Sequence, residues 1–457
     1  MPDQSAARSV AAVVLAAGMG TRMKSARPKV LHAVLGRPMV SHVVAGAEAL
    51  GAGRTVVVIG PDMAALAAAV APHPTVEQTD RLGTAHAVAQ ARAVLEGFTG
   101  TVLVLYGDTP LITRDTLDRL LAAHAEAAAG VSVLGFRAAV PGGYGRLITG
   151  AAGLEAIVEA RDATPEQLAI DLCNSGVMAV DAAALWGWLD RVGNANAKGE
   201  YYLTDIVALA RADGRRCVAV EGAEDEFLGV NSRAELAVAE RIAQDRMRAA
   251  AMAGGATLVD PASVHFSWDT VLGRDVVVGP FTVFGPGVTV GDDVEIKGFC
   301  HFENCSIATG ATVGPYARLR PGAAIGEGAH IGNFVEVKKA VIEPGAKVNH
   351  LTYIGDARVG AKANIGAGTI TCNYDGFGKY HTDIGAGAFI GSNTALVAPV
   401  KIGDGAMVAA GSVITRAVPA DALALGRGEQ SVTEGWAARF RAMKQRAKAA
   451  KDAKAKK

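Results

Sequence analysis

Residues 384–414 read IGAGAFIGSNTALVAPVKIGDGAMVAAGSVI, and an aliphatic side chain recurs at every sixth position: Ile384, Ile390, Leu396, Ile402, Val408 and Ile414. The period extends backwards through two further series. One runs Leu272, Val278, Phe284, Val290, Ile296 and Phe302, the other Ile307, Val313, Leu319, Ile325, Ile331 and Val337. Glycine follows the aliphatic repeatedly, as at Val290-Gly291, Ile325-Gly326, Ile365-Gly366 and Ile402-Gly403. A hexapeptide period with one inward aliphatic per repeat predicts a parallel β-helix, each coil made of three short strands joined by glycine-rich turns. The step shortens to five at 302→307, 337→342 and 354→359, which a coil can absorb at a corner. Residues 371–383, TCNYDGFGKYHTD, leave the period and predict a projecting functional loop.

The composition fits a large folded protein. The chain has 457 residues, half apolar and 20% charged, with 55 glycines concentrated in the periodic half. Lys+Arg and Asp+Glu balance at 45 each, yet residues 441–457 hold eight Lys/Arg against one Asp, leaving the rest acidic. An acidic body argues against a nucleic-acid binder, and the basic tail reads as a solvated end, with a binding arm as the alternative. Five cysteines with no C-x-x-C spacing are expected to be reduced thiols. No apolar run reaches the roughly 20 residues of a spanning helix, and the first residues lack the zones of a signal peptide, so a cytoplasmic location is expected.

Before residue 230 the grammar is different. Val10–Leu15, Thr55–Ile59, Val102–Tyr106 and Val131–Phe136 are short β-branched runs separated by Ala-rich helical stretches such as Thr84–Leu95 and Arg114–Ala128. Such alternation predicts an open, mostly parallel α/β sheet with ligands at the C-terminal ends of its strands. Ser232-x-x-Glu235 opens a helix with Leu236, Ala239, Ala243 and Met247 on one face, read as a connector. The expected division is therefore 1–231, a linker helix over 232–255, and 256–457.

After the first run comes Leu15-Ala16-Ala17-Gly18-Met19-Gly20-Thr21-Arg22-Met23, with Pro28-Lys29 downstream. Small residues let backbone N–H groups approach a phosphate, and Arg22 and Lys29 add positive charge where a leaving pyrophosphate would gain negative charge. The loop lacks the third glycine of a dinucleotide fingerprint and the Gly-Lys-Ser/Thr end of a P-loop. The whole string instead resembles the signature of the sugar-1-phosphate nucleotidyltransferases, a Rossmann-like α/β fold. Further motifs follow in order: Gln78 with Leu82-Gly83-Thr84-Ala85, Tyr106-Gly107-Asp108, Gly143-Tyr144-Gly145-Arg146, Glu159, Asn174-Ser175-Gly176, Glu200-Tyr201-Tyr202-Leu203-Thr204-Asp205 and Gly229-Val230-Asn231.

With the periodic half included, nearly the whole chain is similar to the bacterial bifunctional enzymes that acetylate glucosamine-1-phosphate and uridylylate the product to UDP-N-acetylglucosamine, a cell-wall and lipopolysaccharide precursor. That resemblance implies a left-handed β-helix, UTP and acetyl-CoA as co-substrates, and a homotrimer with acetyl sites at subunit interfaces. It assigns Asp108 and Asn231 to one Mg²⁺. Leu15, Ala16, Ala17, Gly18, Lys29, Tyr106 and Gly107 would line the nucleotide, and Gln78, Gly83 and Thr84 would read uracil and ribose. Gly145, Glu159, Asn174 and Thr204 would hold the sugar, with Tyr202 as a wall.

In the periodic half, Arg318–Gly322, Asn333–Lys339 and Asn349–Tyr353 carry dense polar chemistry for a solenoid wall. An amine attacking a thioester must be neutral, so a base with an ordinary pKa of about 6.5 suits the task, and His350 is the candidate. Glu336 is expected to orient it. A lone surface histidine is the bland alternative. The resemblance assigns Arg320, Lys338, Tyr353 and Asn364 to glucosamine-1-phosphate, and Ala367, Asn373, Tyr374, Ser392, Ala410 and Arg427 to acetyl-CoA. Two rival readings are a nucleotidyltransferase with a purely structural β-helix and a trimeric scaffold with decayed sites.

Overall fold

The computed structural model describes residues 9–455, so Lys456 and Lys457 of the basic tail lie outside the described residues. The chain divides into two compact units, one of residues up to 272 with 279–288, the other of residues 273–278 with 289 onward.

The first unit is built on a twisted sheet. In spatial order its strands are Cys217–Glu221, Val131–Arg137, Leu172–Asp181, Thr101–Tyr106, Val10–Leu15, Arg54–Ile59 and Thr75–Glu77. Val10–Leu15 lies parallel to Arg54–Ile59 on one side and to Thr101–Tyr106 on the other. Every residue of that strand is buried, because alternate side chains enter different cores: Ala11, Val13 and Leu15 one, Val10, Ala12 and Val14 the other. A strand covered on both faces reads as a continuous apolar run, which is what VAAVVL is. Leu172–Asp181 departs from the parallel pattern: it runs antiparallel to both neighbours, and the hairpin strands Arg146–Gly150 and Gly153–Val158 attach at its start.

The helix Arg233–Ala253 is more than a connector. Ser232 caps it by accepting from Glu235 N at 3.2 Å, while the Glu235 carboxylate accepts from Asn231 N at 2.7 Å. Ala239 and Ala243 share a core with Val34, Leu35, Met39, Leu111 and Val230. Its far face grips the segment that follows: Gln244 exchanges bonds of 2.8 and 2.9 Å with Phe266, and Arg248 Nε donates to Val264 O at 2.9 Å. Trp268 N in turn donates to Leu35 O at 3.0 Å, and the Arg37 guanidinium lies 4.3 Å from the centre of the Trp268 ring.

In the second unit the aliphatic at each sixth position points inward, and Ile296, Val313, Ile331, Val348, Ile365, Ile390 and Val408 are all 3% exposed or less. Coils stack by parallel pairing in three columns. One passes through Glu295, Thr312, His330, Lys347, Asn364 and Phe389. The second passes through Arg318, Glu336, Tyr353, Ile370 and Ala395. The third passes through Ala323, Ala340, Ala357 and Thr382. Each shortened step falls between the second and third columns. The insertion at 371–383 is a small hairpin closed by a bridge between Tyr374 and Lys379, with Phe377 at its tip 99% exposed. The last described element is the helix Trp436–Ala455, whose described side chains are exposed. Among the described residues, no helix is long and apolar enough to cross a membrane.

These contacts predict where the first half can be cut. A fragment ending at residue 252 loses the partners of Gln244, Arg248 and Leu35, whereas one ending at 288 keeps them. At roughly 1 kcal/mol net per hydrogen bond, the shorter fragment should be less stable by about 3–5 kcal/mol. Denaturant melts of the two fragments check this, and equal midpoints would contradict it.

Candidate active sites

The first site lies at the C-terminal edge of the sheet. Parallel pairing of Val10–Leu15 with Thr101–Tyr106 brings the loop after Leu15 beside Gly107 and Asp108, and Gly107 N donates to Leu15 O at 2.9 Å. Gly20 has φ of 62°, and a Cβ there would sit 2.4 Å from Lys29 Cβ, so only glycine lets the loop fold back onto Lys29. At Gly18 a Cβ would meet no atom within 4 Å, leaving this backbone open to the cleft. The Lys29 ammonium is ion-paired with Asp108 and donates to Asn231 Oδ1 at 2.8 Å. Asn231 is itself held through its N–H by Glu235. Arg22 is exposed in the turn Thr21–Met23.

A cavity of about 300 Å³ is lined by Leu15, Ala16, Ala17, Gly18, Lys29, Gln78, Gly83, Thr84, Tyr106 and Asp108. Gln78 is buried, its Nε2 donating to Gly83 O at 3.0 Å. At Gly83, φ is 118° and a Cβ would lie 2.4 Å from Tyr201 O, so a side chain is excluded. Burial raises the Tyr106 phenol well above its ordinary value, with Asp108 and Glu159 adding to the effect, so it stays neutral. Val30, Arg81, Ala87 and Glu200 complete the lining, and of these Arg81 escaped the sequence reading; its Nε donates to Ala17 O at 2.9 Å, fastening the loop after Leu15. Arg81 directly precedes Leu82-Gly83-Thr84, and a single arginine in a loop gave no sign of reaching back across more than 60 residues.

A second cavity, of about 360 Å³, is lined by Glu159, Asp162, Asn196, Tyr202, Thr204 and Asp205. Tyr202 Oη and Thr204 Oγ1 are buried there without a hydrogen-bond partner. Buried polar atoms of this kind are costly unless a ligand or water satisfies them. Gly145 O accepts from Asn174 N at 2.8 Å, and a Cβ on Gly145 would lie 3.4 Å from Glu159 Oε1. Asn174 sits at the irregularity where Leu172–Asp181 shifts register, its Oδ1 turned onto Gly176 N.

In the β-helix unit His350, Ala367, Ser392 and Ala410, four of the residues expected for acetyl transfer, form a column along one corner. Asn333 pairs with His350, and backbone bonds continue the line: Gly368 N to His350 O, Asn393 N to Ala367 O and Gly411 N to Ser392 O. Ala410 follows, and its carbonyl accepts from Arg427 Nη1 at 2.9 Å. His350, Ala367, Ser392 and Ala410 thus lie one per coil, about 4.8 Å apart.

Glu336 does not orient His350, contrary to expectation. It faces the next strand column and accepts from Arg320 Nη1 at 2.7 Å, while the His350 Nδ1 is 2.7 Å from Asn333 Oδ1. The reason is register: Glu336 stands opposite Tyr353, three residues beyond the position opposite His350. Beside Glu336 the Lys338 ammonium lies close to that of Lys379, which lowers its pKa, and Arg320 adds to the effect. Lys379, on the insertion, is a further residue the sequence reading missed. Asn373 donates to Asp356 at 2.6 Å, with its Nδ2 3.5 Å from Tyr353 Oη, and Tyr374 is exposed on the hairpin. Asn364 is set apart, in the column of Lys347 and Phe389 across the corner from Arg320 and Tyr353.

The five cysteines are free, and burial pushes Cys217 and Cys300 up to about 11 and Cys305 up to about 12, so these three thiols are not nucleophiles near neutral pH.

Two family models match different parts of the chain. Residues 12–168 match the MobA-like NTP transferase domain, and residues 269–304 and 381–416 match the bacterial transferase hexapeptide repeat. The chain is 66% identical over 448 residues to the bifunctional protein GlmU of Paramagnetospirillum magneticum, covering 98% of this chain and all of that protein. It is 69% identical over 433 residues to the protein of the same name from Rhodospirillum rubrum, covering 94% and 97%, and 60% identical over 445 residues to that of Xanthobacter autotrophicus, covering 96% and 99%.

Glu159 supplies a test of the second cavity. Burial raises its carboxyl above the ordinary 4.5, with Lys198 opposing in part. The folded chain therefore holds this proton more tightly than the unfolded chain, and the group costs stability as pH rises from 4.5 through its raised value. Glu159→Gln should melt higher than the parent at pH 7, and the gain should fade toward pH 4. Thermal melts at both pH values check the sign.

Proposed function

Because the chain belongs to the family of bifunctional GlmU proteins, it makes UDP-N-acetylglucosamine by acetyl transfer and uridylyl transfer, and we propose that the two sites above divide this work. The observation that carries the assignment is the convergence of Asp108 and Asn231 on the Lys29 ammonium at the sheet edge, in a different unit from the His350 column. Functionally, residues 1–231 carry uridylyl transfer, 232–255 are the linking helix and 256–457 carry acetyl transfer.

In uridylyl transfer the phosphate oxygen of N-acetylglucosamine-1-phosphate attacks the α-phosphorus of UTP in line. One P–O bond forms, the α–β bridge breaks and pyrophosphate leaves, with no protein nucleophile. The Leu15–Gly18 backbone cradles phosphate, Arg22 and Lys29 offset its charge, and Gly107 allows close approach. Gln78, Gly83 and Thr84 hold uracil and ribose against Tyr106. Gly145, Glu159, Asn174, Tyr202 and Thr204 hold the sugar, a reading supported by the unpartnered Tyr202 Oη and Thr204 Oγ1. Asp108 and Asn231 would hold Mg²⁺, which when bound neutralises phosphate charge. They suit it: two hard oxygen donors that already share one cation match an ion that fills its remaining positions with water and substrate phosphate.

In acetyl transfer the amine of glucosamine-1-phosphate attacks the acetyl-CoA carbonyl. The N–C bond forms, His350 takes the amine proton, the C–S bond breaks and the CoA sulfur leaves, receiving that proton. Arg320, Lys338 and Lys379 bind the sugar phosphate with Tyr353 beside them, and Glu336 keeps Arg320 in place. Ala367, Ser392, Ala410 and Arg427 line the CoA arm, with Asn373 and Tyr374 at its side. The position of Asn364 across the corner supports a site completed by a second subunit, and so a homotrimer. Exposed, stacked Tyr316 and Phe334, ring centres 5.0 Å apart on that corner, offer apolar surface for such packing. The enzyme would work in the cytoplasm, where UTP and acetyl-CoA are available.

The test is one assay with two readouts. With glucosamine-1-phosphate, acetyl-CoA, UTP and Mg²⁺ present, His350→Ala should release CoA about 10²–10⁴-fold more slowly, and it should still form pyrophosphate when N-acetylglucosamine-1-phosphate is supplied. Asp108→Ala should do the reverse. A variant that lost both activities while folded, or neither, would overturn the division. Light scattering should give three times 46.7 kDa, about 140 kDa. A monomer would remove the shared acetyl site.

A further inference from the structure

We infer that Asn333, and not a carboxylate, positions His350 for acetyl transfer by fixing which ring nitrogen carries the proton. The inference rests on His350 being the base. Asn333 and His350 stand opposite each other on adjacent coils, held by the parallel pairing of His330–Ile342 with Lys347–Val359, and Asn333 Oδ1 lies 2.7 Å from His350 Nδ1. An amide oxygen can only accept, so in the neutral ring Nδ1 must be the donor and the lone pair is left on Nε2. Such a bond selects one tautomer and one ring orientation.

Among the described residues, no carboxylate is placed to do this. Glu336 is committed to Arg320, and the groove beside the ring, lined by Lys297, His330, Asn333, Asn349 and His350, contains no carboxylate. Lys297 can only donate a hydrogen bond and so cannot accept the Nδ1 proton. His350 is exposed, so without Asn333 its ring would be free to turn and to exchange tautomers through water. The sequence carried a faint sign of the pair: Asn333 precedes His350 by 17 residues, the length of a coil containing one shortened step. Asn333 acts through His350 and is a positioning residue.

The experiment uses the full-length enzyme labelled with ¹⁵N-histidine, the His350 signals being those lost in His350→Ala. In the parent, the neutral ring should show Nδ1 protonated and Nε2 bare. Asn333→Leu should give mixed tautomers or Nε2–H, and kcat for CoA release should fall about tenfold, the worth of one hydrogen bond, with KM for both substrates within about threefold. Asn333→Asp, whose carboxylate can also accept from Nδ1–H, should restore the parent tautomer and most of kcat, which a packing role would not require. A parent ring protonated at Nε2, or an Asn333→Leu enzyme with unchanged tautomer and kcat, would overturn the inference. If instead His350→Ala keeps near-normal CoA release, the base assignment fails, and the NMR result still reports whether the tautomer is fixed.

Discussion

Both sites depend on parallel backbone pairing kept in strict register. In the sheet, pairing of Val10–Leu15 with Thr101–Tyr106 ends both strands at the same edge, so the loop after Leu15 and the Gly107-Asp108 turn face one cleft. In the β-helix, pairing repeats one position per coil, and the line of His350, Ala367, Ser392 and Ala410 is the product of that repetition. A slip of one residue would turn each inward aliphatic outward and scatter the column. The buried aliphatics therefore do more than stabilise the solenoid, because they hold the coil step on which the chemistry is written.

How much of this could be read from the sequence follows from the range of the interactions. Local periodicity announces a coil, since the inward aliphatic and the corner glycine are neighbours in the chain. VAAVVL likewise announces a strand covered on both faces. The reversal of Leu172–Asp181 left no trace, because a run buried on both faces looks the same in either direction. The double grip of Arg233–Ala253 was hidden in Gln244 and Arg248, polar residues that an amphipathic reading sends to solvent and that the fold buries. Partners across coils were harder still: shortened corners make the step 17 residues in one coil and 18 in the next. Glu336 was assigned to His350 by chemistry, while register gives it to Arg320.

The charge pattern on the solenoid wall has its own logic. Arg320, Lys338 and Lys379 crowd together, yet Glu336 satisfies only the first, and Asp356 is engaged by Asn373. Like charges held this close disfavour each other, Asp356 offsets them only in part, and a phosphate would relieve them all at once. In the sheet the balance is different. Lys29 is already answered by Asp108 and Asn231, so its charge is held in place.

Bulk at one corner of the solenoid changes beside His350. Residues on one corner share a left-handed backbone: Phe299, Tyr316, Phe334 and Leu351, then Gly368, Asn393 and Gly411. The first four are large and stand out from the wall, whereas the last three are small. Left-handed conformations are unfavourable for bulky side chains, so four such residues in succession mark a corner held for packing. Beyond Leu351 the corner positions carry smaller residues, which leaves room there for the ligand arm proposed above. His350 sits at the step between the two regimes, one residue before the last large side chain and one coil before the first small one. The acyl group at the end of such an arm would be brought to the coil of His350, and the amine acceptor can approach from the cationic face beside it.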